Sequence, residues 1–156
     1  VTVFQMVDAL FFYSQKVLDK HPVDILVIDA QHECLNGETS AVFTAEGMQG
    51  CICMYRMQSE EVRPIHVLLH ELGHLLHIKV TGTLTGIPKS FVGHLLNLGI
   101  ECSKLTATQL QELFADTFML AVINKHPELG VPEPNFSAKT LAHCYKYICT
   151  LFDSMR

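Results

Sequence analysis

His70-Glu71-Leu72-Gly73-His74-Leu75-Leu76-His77 is the stretch on which the reading of this chain turns. It contains His-Glu-x-x-His between aliphatic residues, so it reads as the middle of a buried helix. At 3.6 residues per turn, His70 and His74 lie on one face about 6 Å of rise apart. That spacing lets two imidazoles reach one zinc ion, and it leaves Glu71 about 100° round the helix, beside the metal's open side. A carboxylate there can take a proton from a metal-activated water. Composition alone, with nine His in 156 residues, would produce the pattern roughly three times in a hundred such chains. The helical setting lowers that figure further.

Working outward, the helix is expected to begin between Ser59 and Pro64, with Glu60 and Glu61 near its positive end and Pro64 in its first turn. It should end near Val80, where Thr81-Gly82 follows. Gly73 costs roughly 1 kcal/mol in a helix interior, so its place in the motif predicts another backbone passing close by.

Zinc bound by two histidines needs a third protein ligand and a water. His77 shares the face of His70 and His74, but its rise from His70 is about 10 Å, too far for one helix to converge all three on one ion. Val80 and His77 stand where a metzincin has histidine and glycine, which excludes that class. The better candidate is Glu112, in Glu112-Leu113-Phe114-Ala115-Asp116, because its apolar neighbours do not suit a solvated face. Asp116 lies one turn on and can accept the free ring N–H of a zinc-bound histidine.

His-Glu-x-x-His followed by Glu-x-x-(Ala/Ser)-Asp resembles the gluzincin pattern of thermolysin-like peptidases. The order strand, turn, strand, then HELGHLL is similar to the ImmA/IrrE-type metallopeptidases in particular. Their Glu-x-x-Ala-(Asn/Asp)-x-Phe is matched by Glu112, Ala115, Asp116 and Phe118. The resemblance covers about residues 1–125. It implies a compact zincin-like fold, zinc at His70, His74 and Glu112, and Glu71 as catalytic base. For some relatives it also implies cleavage of a repressor protein.

The remaining segments predict an α+β domain spanning residues 1–156, with a small antiparallel or mixed sheet of about three strands packed on helices. Residues 2–20 carry apolar positions at helical spacing, and His21-Pro22 stops them. Val23 to Ala30 reads as a buried strand, 31–40 as a loop, Ala41 to Thr44 as a strand, 46–50 as a turn and Cys51 to Met57 as a third strand. Ser90 to Leu98 is a short helix ending at Gly99. Thr106 and Gln109 have capping-box spacing and open a helix from Ala107 to about Lys125. Its core stripe is Leu110, Leu113, Phe114, Thr117, Phe118 and Ala121. After a proline-rich loop, Asn135 or Ser137 caps a last helix reaching about Phe152.

Composition bounds the function. Hydrophobic residues make up 49% and charged ones 17%, a surplus that should line a large core, a substrate groove or a subunit interface, the last leaving room for a homo-oligomer. A net charge of −5 argues against nucleic acid as the partner. No apolar run reaches the roughly 18 residues of a membrane span and no signal peptide is visible, so a cytoplasmic protein without a membrane partner is expected. The chain starts at Val1, which leaves room for residues ahead of it. Without an export signal, the six cysteines read as free and mostly buried thiols.

The expected function is peptide-bond hydrolysis by a zinc-activated water, with Glu71 as general base. The oxyanion needs one further donor, and His66, His94, His143, Tyr145 and Tyr147 are all open for that role. The expected substrate is a peptide or protein added along an edge strand, taken to be Cys51 to Met57. A rival reading is a regulatory or protein-binding domain stabilised by zinc. Glu71 speaks against it, since a purely structural site has no use for a carboxylate beside an open position.

Overall fold

A glycine contact, rather than the strand pattern, sets where the helices of this protein meet. The computed structural model describes residues 6–7, 23–132 and 136–155. The helix expected over 2–20 and the cap at Asn135 lie outside these, apart from Met6 and Val7, which are helical. The described strands are β1 (Val23–Val27), β2 (Gly37–Thr44) and β3 (Gly47–Met54). The helices are α1 (Pro64–Thr81), α2 (Phe91–Asn97), α3 (Ala107–Lys125) and α4 (Ala138–Ser154). The class is α+β with a mixed sheet of three strands, as expected. Among the described residues, no helix is long and apolar enough to cross a membrane.

The sheet corrects two expectations. Its order is β1-β3-β2, with β1 parallel and β2 antiparallel to β3. The segment Cys51 to Met57 is therefore no edge: its strand part is paired on both sides, and among the described residues the edges are β1 and β2. Nor is β1 buried, since Val27 is 83% exposed. The strands around the turn are also longer than their glycines suggested. The hairpin turns at Ala45-Glu46, and Gly50 sits inside β3. A Cβ on Gly50 would come within 2.7 Å of Leu75 Cδ2, so this glycine lets α1 press on the sheet.

The layers run sheet, α1, α3, α4. Because α1 is covered on two sides, its buried positions spread round the helix and include His66, Glu71 and His77 beside Leu69, Leu72, Leu75 and Leu76. Burying each of the fully buried leucines Leu69 and Leu75 contributes about 1.5–3 kcal/mol. The ends of α1 follow local chemistry: Pro64 occupies the first turn, Glu60 and Glu61 precede it, and Gly82 closes the helix at φ 72°, donating its N–H to Ile78. On α3 the capping box forms as the sequence predicts, with Thr106 and Gln109 bonding each other's backbone N–H groups. Ser137 caps α4. The cysteines are free, but Cys144 alone is buried and Cys34 is exposed; the sheet's open face and the chain's surface hold the others partly accessible.

Candidate metal centre

Gly73 is where α1 and α3 touch. A Cβ there would lie 2.7 Å from Ala115 Cα and 2.8 Å from its carbonyl oxygen, so only a glycine lets the backbones approach this closely. The close passage expected from the motif is the backbone of Ala115. Three residues before it and one after it, α3 presents Glu112 and Asp116 to the histidines of α1.

His70 Nε2 and His74 Nε2 each lie 3.0 Å from a different oxygen of Glu112. The other ring nitrogen of His70 donates to Asp116 Oδ1 at 2.8 Å. Burial opposes the charge on His70, yet the bonds to Asp116 and Glu112 outweigh it and raise its pKa from 6.5 to about 10. The same two histidine bonds hold Glu112 well below the usual carboxylate range. Two imidazole nitrogens and a carboxylate are a donor set that fits zinc, and each of the two contacts is a few tenths of an ångström shorter than the about 3.4 Å between atoms bound tetrahedrally at about 2.0–2.1 Å. His70, Glu71 and His74 also form a compact group, their ligating atoms within 4.8 Å of one another. Of the two carboxylates, Glu112 meets both Nε2 atoms, whereas Glu71 is engaged elsewhere.

That engagement is with β2. The Thr39 hydroxyl bonds the carboxylate of Glu71 and also reaches its backbone carbonyl at 3.2 Å. Glu71 is 7% exposed, and Gly37 makes room for it, since a Cβ there would fall 3.1 Å from Glu71 Cγ. Thr39 lies in the stretch expected to be a loop, and the only signal for it is the alternation that continues from Ala41 back to Gly37.

His77 is 1% exposed and is not placed as a ligand. Its Nε2 lies 3.0 Å from His74 Nδ1. Its own Nδ1 has no well-aligned hydrogen-bond partner, although the backbone of Gly86 lies near enough to favour its protonation. Burial, with His74 beside it, lowers its pKa from 6.5 to about 4, so this ring is neutral.

A cleft of about 420 Å³ opens beside His70, Glu71 and Asp116, walled by Leu35, Val67, Met119, Pro132 and Phe136. A larger groove of about 880 Å³ lies along Ile25, Met54, Met57 and Leu68 and contains none of the motif residues. The residues of the motif line the smaller one. Of the five candidate oxyanion donors, only His66 lines this cleft, and its Nε2–H is committed to the carbonyls of Leu129 and Gly130 at 3.0 and 2.9 Å. His94, His143 and Tyr147 line a separate cavity of about 410 Å³. There His94 stacks on Tyr147 at 4.7 Å and faces Cys144 Sγ at 3.9 Å. Tyr145 bonds Cys149 on its own helix.

Comparison with protein-family models, curated proteins and solved structures finds no match to this chain.

Proposed function

We propose that this chain is a zinc-dependent peptidase of the gluzincin type, with a zincin-like fold and Glu71 as general base. The observation that carries the proposal is the meeting of His70 Nε2 and His74 Nε2 with the carboxylate of Glu112 at 3.0 Å each, beside a buried Glu71. Zinc held by these three side chains would supply a Lewis acid and lower the pKa of water. Asp116 fixes the ring of His70 through Nδ1. Thr39 fixes Glu71, which takes a proton from the attacking water and can return it to the leaving amine. An extended peptide or protein substrate would pair along β2, the edge strand that carries Thr39 and leads from the cleft residues Leu35 and Gly37.

The test is Glu71→Gln. The amide keeps the size of the side chain but cannot take a proton near neutral pH, so about one zinc per chain should remain while cleavage of a peptide library falls about 10²–10⁴-fold. An unchanged cleavage rate would place the chemistry elsewhere. A wild-type chain that holds zinc and cleaves nothing would instead be the zinc-stabilised regulatory domain.

A further inference from the structure

The alternation of β3 sorts its side chains by chemistry. Met48, Ile52 and Met54 are buried, on the side where Gly50 meets Leu75 of α1. Cys51 and Cys53 point the other way, onto the open face of the sheet, and both are partly buried there. Their cross-strand neighbours on that face are Asp24 and Leu26 of β1 and Ser40 and Glu38 of β2, all exposed.

On this face the two thiols meet. The Cys53 thiol bonds Cys51. The carboxylate opposite Cys53, that of Glu38, is held by Tyr55, whose hydroxyl donates to Oε2 at 2.8 Å. Burial, the neighbouring Cys51 and Glu38 push the Cys53 thiol up, so it stays protonated near neutral pH. Cys34, Cys144 and Cys149 have other company, facing His32, His94 and Tyr145.

The pair is poorly placed for a disulfide. Residues two apart on a strand stand about 6.6–6.8 Å apart with their Cα–Cβ bonds parallel. A disulfide brings the two Cβ atoms to about 3.8 Å. Because β3 is bonded to β1 on one side and to β2 on the other, closing that gap would break a ladder. The same two ladders fix the spacing of the thiols. An ion that takes one sulfur on each side needs no such distortion. Zinc calls for four ligands, and the carboxylates of this face do not converge with the sulfurs: among the described residues, the donors gathered in a group of three are those of His70, Glu71 and His74. Copper(I) is selected by soft thiolates and is satisfied by two of them.

We propose that Cys51 and Cys53 bind one copper(I) ion as a two-coordinate bridge on the open face of the sheet, a metal site separate from the histidines of α1. Each thiol gives its proton to water, each sulfur gives an electron pair to the metal, and the copper keeps its oxidation state. The test is competition for copper(I), without oxygen, between the fully reduced chain and a chromogenic copper(I) chelator. One copper per chain should be held. Cys51→Ser and Cys53→Ser, nearly the same size, should each weaken it by more than the about 10–100-fold that loss of an outer partner costs a metal site. Cys34→Ser, which removes an exposed thiol elsewhere, should bind as wild type does. X-ray absorption of the copper-loaded wild-type chain should show two sulfur ligands and no nitrogen, a reading that stands even where a serine variant fails to fold. Copper left wholly with the chelator, nitrogen ligands on the bound metal, or wild-type affinity in a folded Cys51→Ser or Cys53→Ser overturns the proposal. None of these outcomes bears on the zinc reading.

Discussion

Glu71 is a carboxylate in a place where an unpaired charge is costly, and the hydroxyl of Thr39 is what it bonds. A hydrogen bond to a charged group is worth about 1.5–3 kcal/mol. Losing it frees Glu71 to leave the position from which, as the proposed general base, it would reach water. Thr39→Val, which keeps the shape and removes the hydroxyl, should therefore lower kcat about 10–100-fold with zinc content unchanged. Thr39→Ser should restore most of the rate. Steady-state cleavage kinetics beside a zinc assay decide it, and a valine variant with wild-type kcat would reduce Thr39 to a packing residue.

At the level of the element, two opposing effects meet at Gly73. Alanine would favour the helix by about 1 kcal/mol. Its Cβ, however, would lie 2.7 Å from a backbone atom of α3, which cannot swing aside as a side chain can. Overpacking of this kind costs about 1–3 kcal/mol or more, so the clash wins. Gly73→Ala should lower Tm and also weaken zinc binding, because pushing α3 away withdraws Glu112 and Asp116 together. Thermal unfolding and chelator competition measure the two effects. A variant that is more stable and binds zinc as before would mean that the helices separate without moving the ligands.

For the whole molecule, the coupled His70 and Glu112 set a pH window for the metal-free chain. The pKa of His70 is raised from 6.5 to about 10, so its contribution is complete below pH 6.5 and is lost as pH climbs toward 10. Glu112 is lowered from 4.5, so its contribution is present above pH 4.5 and is lost as pH falls below that. Chelator-treated protein should thus be most stable between about pH 4.5 and 6.5, and its Tm should fall from there to pH 10. Zinc should reverse the alkaline limb, because raising the pH removes the proton that competes at His70. Parallel Tm profiles with and without zinc would contradict the shared site. What could be read without the fold is whatever depends on neighbours along the chain. The spacing of His70, Glu71 and His74 follows from helical pitch, the cap at Thr106 is local, and Gly73 signalled a close passage because a glycine inside a helix is otherwise a loss. The pairing of Glu112 and Asp116 with that helix could be anticipated from their own one-turn spacing. Strand order could not, because the glycines around the turn look alike in sequence, and only Leu75 pressing on Gly50 shows that one of them belongs inside β3. Thr39 was likewise an ordinary residue until β2 lay against α1, since a hydrogen bond across layers depends on distances that no local pattern encodes.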